Sequence, residues 1–519
     1  MKPTDITDAL NDVDPGFVKE SEPEPAKGKK ANGRIVAKIA ALAAALVVII
    51  GVGTVIARHG TKDPTPSIQT TETGQPSEQA TEQTGAPATA AQPPEQDEQT
   101  AQALLSSLTA YAAEYPAQTP YPAEGDFAEQ SELDAWYDAW RLRRERYYGA
   151  GQTLEPFFIR SLPAFLGGYK GANTVCSPLN IYFALAMLAE ISDGNTRAQV
   201  LSLLGSPDIE TLRTQANRLF NANYHNDGST CCILADSLWL NENVTFKNDT
   251  LKTLAESYYA STYRGQPGTR EFDDAIHAWL NSQTGGLLRD FVSGIKTEDL
   301  DVLSLYTTAY FGDKWMAEFQ ADATKAGVFH SHAGDTDADF MNATDLWGTY
   351  YWGERFGAVK KMLQQQGTVW FILPDEGVSP EDLLRDEEAL RFLFTQNKDA
   401  WQNEKSLRVN LSVPRFDVSS NRSLKDGLEE LGMMDCFTEK ADFTPLTDES
   451  TIFVTDVMHG ARVIADEQGV TAAAYTEMRL SGASMPPEDE MDFVLDRPFL
   501  FAVISDDQMP LFVGIVNQP

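Results

Sequence analysis

The stretch Gly469–Pro487 reads GVTAAAYTEMRLSGASMPP. Every second residue of its first part, from Val470 to Leu480, is small or apolar, whereas the intervening set includes Glu477 and Arg479. This period of two is typical of a half-buried β-strand. The remainder, Ser481–Pro487, is small and ends in prolines, which is typical of an exposed loop. The stretch therefore combines the patterns of a strand and of a loop.

Two structures fit this combination. The run Ala472, Ala473 and Ala474 has no bulk that would stop it from sliding between two existing strands, whereas a fixed edge strand favours β-branched residues. The segment could then exchange between an exposed loop and an inserted strand. A permanent edge strand followed by a loop is the alternative, and the pattern alone leaves both open.

Around this stretch, helical and strand-like patterns alternate irregularly through residues 153–519. Helices are predicted at Pro178–Glu190, which is apolar nearly all round, and at Asp193–Leu204. No regular strand–helix–strand rhythm is present, so we predict an α+β fold with mixed or antiparallel sheets. The predicted strands are Cys231–Leu240, Leu303–Phe311, Thr368–Leu373, Leu407–Phe416, Ile452–Val463, Phe499–Ser505 and Leu511–Val516.

Composition and motifs exclude several functions. The 76 acidic and 41 basic residues give a formal charge of -35, so nucleic acid is a poor partner. The sequence contains no nucleophile elbow, zinc-protease motif or phosphate-binding glycine loop, so no enzyme is predicted.

A metal site is weakly indicated. His330, His332, Asp335 and Asp337 lie close together, but their spacing favours an ordinary polar turn, so no metal is predicted. The spacing of the four cysteines indicates neither a disulfide framework nor a zinc site. These cysteines are Cys176, Cys231, Cys232 and Cys436.

The N-terminal third has a different composition. Residues 35–57 are predicted as a transmembrane helix, because Ile39–Ala57 is uncharged and close to the length of about 20 residues that spans a bilayer. Basic residues are concentrated before it, which predicts a cytoplasmic tail at 1–34 and an extracellular remainder. A cleaved signal peptide is the alternative, but the polar and apolar regions are both long for one.

A spacer follows the predicted membrane segment. Residues 58–100 are rich in Thr, Gln, Glu and Pro without an aromatic residue, which predicts a disordered linker. Residues 101–152 are predicted as a helical lead-in, with an amphipathic helix at 131–148. The expected location is therefore the cell membrane, with one pass and an exported globular domain at 153–519.

The stretch Gly469–Pro487 resembles the hinge and reactive-centre loop of the serpins. Other stretches resemble serpin motifs in the same order along 153–519, and together with the anchor they make the chain similar to a prokaryote-like, membrane-anchored serpin. These stretches are NTVCSPLNIYFALAML (173–188), DGNTRAQ (193–199), ADSLWL (235–240), WLNSQTGGLLRDF (279–291), YFGDKWMAEF (310–319), LKDGLEELGMMDCFTEKADFTPL (424–446), VTDVMHGARVIADEQG (454–469), DRPFLFAV (496–503) and LFVGIVNQP (511–519).

The resemblance implies a serpin fold with about three β-sheets, eight or nine helices and an exposed reactive-centre loop. It implies a suicide-substrate inhibitor of serine proteases, or alternatively of a cysteine protease. The protease acylates the P1 residue, and the loop then inserts into the central sheet. Counting along the loop as in the family makes Ala483 the P1 residue and Ser484 the P1′ residue. A small P1 side chain fits an elastase-like pocket.

Site residues follow from the same resemblance. The hinge is Glu467, Gly469, Val470, Thr471, Ala472, Ala473 and Ala474. The shutter and breach of the family are matched by Ser177, Asn180, Thr307 and His459 beneath the opening sheet and by Trp315 at the top of the sheet near the hinge. Residues 209–224 hold only two arginines, so no glycosaminoglycan site is predicted. We expect a monomer that needs no cofactor.

Two alternatives remain at this point. A non-inhibitory serpin that acts as a binding or chaperone-like module would share the fold, and Thr471 and Tyr475, which depart from the family's usual glutamate and alanine or serine, favour it. An unrelated surface adhesion domain or hydrolase is the second alternative. It would require a catalytic constellation that the sequence does not indicate.

Overall fold

A computed structural model describes residues 95–122, 130–168, 171–228, 230–292, 294–364, 367–395, 401–449, 452–470 and 487–519. All of them fall in one unit, Pro87–Pro519. The predicted tail, transmembrane helix and most of the predicted linker lie outside the described residues, and so does 471–486, which contains Thr471–Ala474, Ala483 and Ser484. No helix in the described part of the chain has the length and apolar character needed to cross a membrane.

Helices occupy the N-terminal part and then surround the sheets. The described helices are α1 Glu95–Leu108, α2 Gln130–Tyr147, α3 Glu155–Leu166, α4 Pro178–Ile191, α5 Gly194–Leu204, α6 Ile209–Asn223, α7 Asn248–Ser257, α8 Arg270–Gln283, α9 Arg289–Val292, α10 Pro380–Leu383, α11 Glu387–Phe394 and α12 Lys425–Glu430.

The helix α4 confirms the predicted buried helix. All of its residues are buried, as its all-round apolar sequence predicts. It begins where Ser177 caps it, with Pro178 in the first turn. This places Ser177 and Asn180 together at the N-terminal end of the buried helix.

The first sheet is the central sheet of the molecule. Its strand order is β1-β5-β4-β6-β14-β13-β12, with β3 paired to β4. Its strands are β1 Thr109–Tyr111, β3 His225–Asn226, β4 Cys231–Asn241, β5 Ser261–Gly265, β6 Leu303–Lys314, β12 Phe416–Ser423, β13 Met458–Ala465 and β14 Gly469–Val470.

The second sheet has the order β15-β11-β8-β9-β10-β16-β17-β2, with β7 paired to β8. Its strands are β2 Thr174–Cys176, β7 Lys325–Ser331, β8 Gly334–Trp352, β9 Phe356–Met362, β10 Thr368–Pro374, β11 Glu404–Pro414, β15 Glu490–Val494, β16 Phe499–Ile504 and β17 Pro510–Val516.

The described residues thus form two large sheets, whereas about three were predicted. The reason is β8, whose 19 residues pair with β7 and β11 and then continue into pairing with β9. One continuous strand thereby joins the strands that pair with its first part to those that follow β9, and a single nine-stranded sheet results. The helical segments also exceed the predicted eight or nine, because short helices such as α9, α10 and α12 were not visible as periodic patterns.

Three predicted boundaries were wrong. Helix α1 begins at Glu95, inside the predicted linker, and Leu105 is buried beside Phe272 and other residues of α8. The predicted strand Leu407–Phe416 is two strands, because β11 ends at Pro414 and β12 begins in the other sheet. The strand predicted at Ile452–Val463 begins only at Met458.

Candidate functional site

The central sheet contains a seam, defined as the junction between β6 and β13. The two strands pair in parallel only at Tyr306–Thr308 and Met458–Gly460. At the other end of the seam β14 lies between them, antiparallel to both: Val470 faces Asp313 on β6 and Ala465 on β13. Between these two contacts the described parts of β6 and β13 are not paired with each other. The sheet is therefore closed at one end and already wedged apart at the other.

Gly469 is required at the entry to the seam. A Cβ atom there would lie 2.4 Å from the carbonyl oxygen of Asp313 and 2.8 Å from the Cα of Lys314. Both are backbone atoms that cannot turn aside as a flexible side chain would. The predicted hinge glycine thus has a steric basis, which is the close approach of two strands.

Glu467 fixes the chain just before β14. Its carboxylate accepts hydrogen bonds from the Arg415 guanidinium at 2.9 Å and from the Thr324 hydroxyl at 2.6 Å. Burial alone would raise the pKa of Glu467, but the hydrogen bonds from Arg415 and Thr324 outweigh it and hold this pKa below its usual range. The predicted hinge acid is therefore an anchor that stays ionised at neutral pH.

Trp315 holds the same turn from the sheet side. Its backbone N–H donates to the carbonyl of Gln468 at 3.0 Å, and its indole Nε1–H donates to the carbonyl of Asp466 at 2.8 Å. The ring packs edge-on against Phe319, and the ammonium of Lys361 lies 4.2 Å from the Phe319 ring centroid. Trp315 is buried, so the residue predicted for the breach packs in the core and contacts the hinge turn.

The closed end of the seam has a buried polar network. The backbone N–H of Ser177 donates to His459 Nε2 at 2.9 Å, and the Asn180 side-chain amide donates to the Thr307 hydroxyl at 2.5 Å. Asn180 N–H also donates to Ser177 Oγ at 3.4 Å. The structure thus brings together the four residues predicted for this position, two from the α4 start and one from each strand of the seam.

Two atoms of this network are unsatisfied. His459 Nδ1 and Asn180 Oδ1 are buried and have no hydrogen-bond partner among the described residues. Burial, reinforced by the Arg422 guanidinium, lowers the pKa of His459 to about 3, so the imidazole is neutral. Unsatisfied buried polar atoms cost free energy, so any group that supplies their partners stabilises the sheet.

Asp236 is a site residue that sequence reasoning missed. It lies on β4 opposite Thr307, which in turn lies opposite His459, and it is almost completely buried. Neither carboxylate oxygen meets hydrogen-bond geometry with another described residue. Burial raises the pKa of Asp236 to about 7. A charged residue in the apolar run CCILADSLWL was the signal that could have identified it.

Ordinary ion pairs form in the histidine and aspartate cluster near His330 and on helix α6. His330 pairs with Asp335 across the β7–β8 turn at 2.8 Å, and no metal-binding group was found in the described ranges. On α6, Arg213 is held by Glu190 at 2.8 Å and Glu210 at 3.2 Å. That arginine is therefore neutralised by its neighbours.

Comparison with known proteins identifies the family. The family model for serpins, described as serine protease inhibitors, matches residues 157–519. An alpha-1-antitrypsin-like protein of Ictidomys tridecemlineatus is 28% identical over 357 residues, covering 67% of this chain and 83% of that protein. A leukocyte elastase inhibitor of Sus scrofa is 27% identical over 365 residues, covering 67% of this chain and 93% of that protein.

Solved structures agree on the fold. The native state of tengpin, a thermophilic serpin, matches with a TM-score of 0.63 and 24% identity, covering 79% of this chain and 98% of tengpin. Human thyroxine-binding globulin matches with a TM-score of 0.61 and 18% identity, covering 72% of this chain and 99% of the globulin. With the hinge, the seam and the matched family model, this chain belongs to the serpin family, which is described as a family of serine protease inhibitors.

Proposed function

We propose that this chain inhibits an elastase-like serine protease as a suicide substrate, by inserting its reactive-centre loop into the seam of the central sheet. The observation that carries the proposal is the register of β14. Val470 faces Asp313 on β6 and Ala465 on β13 at once. A strand that grows from β14 therefore has a defined partner on each side at every step.

Continuing both registers by six residues brings Thr476 opposite Thr307 on β6 and opposite His459 on β13. These two residues already face each other in the closed seam, so the two registers agree independently. Thr476 is the one hydroxyl-bearing residue of the inward-facing set from Val470 to Leu480. Its hydroxyl would arrive beside the two atoms that lack partners, His459 Nδ1 and Asn180 Oδ1.

The apolar inward residues meet apolar partners in the same register. Met478 would face Leu305 and Leu480 would face Leu303, and both leucines are buried. Main-chain hydrogen bonds along both sides of the new strand would add about 1 kcal/mol each. Insertion thus has a favourable free energy with which to deform a protease held as an acyl-enzyme.

Tyr475 would lie on the opposite face, toward α8 and α9. The same registers place it opposite Thr308 on β6 and Gly460 on β13. A Cβ at Gly460 would approach Leu288 Cδ1 at 3.1 Å, so the space above this glycine is bounded by a flexible side chain. The Tyr475 ring is accommodated if Leu288 moves. Tyr475 therefore determines how easily the loop inserts.

Specificity follows from the proposed P1 residue. Ala483 with Ser484 on its far side suits a shallow pocket, and the porcine relative named above is a leukocyte elastase inhibitor.

The predicted membrane helix at 35–57 would hold the inhibitor at the cell surface and the linker would extend it outward. This localisation rests on the sequence alone.

A binding function without inhibition is the alternative. Thyroxine-binding globulin shows that the same fold is found in a protein solved in complex with thyroxine. Thr471 and Tyr475 favour this alternative for the present chain, whereas the register match of Thr476 and the uncharged inward set favour inhibition.

The test is to mix the full chain in detergent with active elastase and analyse the products by denaturing gel and intact mass. We expect a covalent adduct whose released peptide begins at Ser484. Cleavage at this bond without an adduct would show a substrate, and no cleavage by any elastase would contradict the proposed specificity.

A further inference from the structure

The second sheet exposes two large apolar side chains at a β-bulge. On β11, Leu407 pairs with Gly348 and Val409 with Asp345, so both Leu346 and Trp347 lie opposite the single residue Arg408. Asp345 Oδ1 accepts a hydrogen bond from the backbone N–H of Trp347 at 3.0 Å, which holds the bulge. Trp347 is 49% exposed and Leu346 is 40% exposed.

The face around this bulge is otherwise polar. Arg408 pairs with Glu490 at 3.4 Å, and the Asn410 side chain donates to Glu490 at 2.6 Å and to Asp492 at 2.9 Å. Leu407, Val409 and Leu411, which alternate with Arg408 and Asn410 along β11, are buried on the opposite face. The bulge therefore turns Leu346 and Trp347 away from the core, as bulges do where they redirect side chains.

The described chain resumes at Pro487 beside this face. The proposed P1′ residue, Ser484, is three residues before Pro487 in the sequence. Pro487 leads into β15, whose Glu490 is opposite Arg408. Trp347 lies on β8, which is the next strand beyond β11. Two strand spacings therefore separate Trp347 from Glu490, a distance of about 10 Å. A folded protease of roughly 230 residues is about 45 Å across. A protease engaged at the reactive bond is therefore wide enough to reach the bulge.

The charge of this face indicates which kind of protein surface can bind it. Glu488, Asp489, Glu490 and Asp492 lie along the chain into β15, while the basic residues paired with them are Lys405 with Asp489 and Arg408 with Glu490. The acidic groups outnumber the basic ones. A partner surface that carries basic groups beside an apolar contact is complementary to this arrangement.

We propose that Leu346 and Trp347, with the acidic start of β15, form an accessory docking surface for the target protease. This surface selects a protease whose rim beside the active site is cationic and apolar. The inference rests on the proposed inhibitory function, since it assumes that a protease engages the loop. The docking surface would stabilise the noncovalent complex that forms before acylation, so its contribution can be measured separately from loop insertion.

The test measures noncovalent binding of the full chain in detergent to a cationic elastase whose nucleophilic serine is replaced by alanine. Because this elastase cannot acylate the loop, the dissociation constant reports docking alone. Trp347→Ala is expected to weaken binding about tenfold, as for a central aromatic contact. Raising the salt concentration from 50 to 300 mM should weaken binding of the unmodified chain.

Leu300→Ala is the matched control. Leu300 is 90% exposed and lies just before the start of β6, whereas Lys314 at the other end pairs with the hinge. The 12 residues of β6 separate these ends by about 40 Å. This variant should bind like the unmodified chain.

Equal affinities for Trp347→Ala and the unmodified chain would overturn the docking surface, and so would an equal loss in Leu300→Ala. The active elastase is measured in parallel. An adduct without dependence on Trp347 would leave trapping intact and reject the docking surface. Binding that depends on Trp347 without any adduct would reject trapping and retain the docking surface.

Discussion

Asp236, Thr307 and His459 lie side by side on three strands at the closed end of the seam. Burial raises the pKa of Asp236 to about 7, above its unfolded value of about 3.9. Its contribution to stability is therefore present below pH 4 and lost as the pH rises through 7. Burial lowers the pKa of His459 to about 3, so the histidine contributes stability that is lost as the pH falls from 6.5 toward 3. The two effects oppose each other.

Asp236→Asn should remove one of these opposing effects. The free energy of unfolding of the variant, relative to the unmodified chain, is expected to increase by up to about 4 kcal/mol between pH 4 and pH 7. Melting temperatures of both proteins at intervals of one pH unit provide the measurement. If the difference in free energy of unfolding between the two proteins is the same at pH 4 and pH 7, the pKa of Asp236 is not raised and its carboxylate is ionised in the native protein.

At the scale of an element, the inserting strand has two faces with different tolerance. Thr476→Arg would place a charge in the core beside Thr307 and His459, so we expect elastase to cleave the variant without forming an adduct. Glu477→Arg is the matched control, because the same side chain would then be on the outward set and trapping should persist. The fraction of chain in the adduct, measured by denaturing gel, distinguishes the two. Equal trapping by both variants would contradict the register.

Tyr475→Ala should make insertion easier. Removing the ring relieves its approach to Leu288 above Gly460, so a larger fraction of the cleaved chain should become adduct and fewer inhibitor molecules should be consumed per protease. Titration of elastase activity against inhibitor gives this stoichiometry. If the variant is consumed in the same ratio as the unmodified chain, Tyr475 does not limit insertion.

The sequence predicted those elements whose signals are local. Helix α4 was visible in a single apolar stretch of chain, and Gly469 and the polar residues at the start of α4 were assigned because their own stretches resemble serpin motifs. The Arg415 anchor of Glu467 was not, because the two residues are 52 positions apart and meet only when β12 and β13 pair. The single nine-stranded sheet that β8 joins together was equally hidden, since it depends on pairings and not on the pattern of that strand.

At the scale of the whole molecule, the chain combines a serpin domain with a predicted membrane anchor at 35–57. Expressed in cells, the full chain should sediment with membranes and resist extraction by high salt, because an apolar helix and not charge would hold it. A variant lacking 35–57 should remain in the supernatant. Release of the full chain by salt, or by cleavage after residue 57, would contradict a retained anchor.

The central claim is that the seam between β6 and β13 opens and accepts the loop as a strand. Hydrogen–deuterium exchange of β6 and β13 amides, measured before and after protease cleavage at Ala483–Ser484, tests this most directly. We predict that the amides of Ala309–Gly312 and of Ala461–Val463 that point into the seam become strongly protected after cleavage, because the new strand accepts their hydrogen bonds. Unchanged or faster exchange at these amides after complete cleavage would contradict loop insertion in this protein.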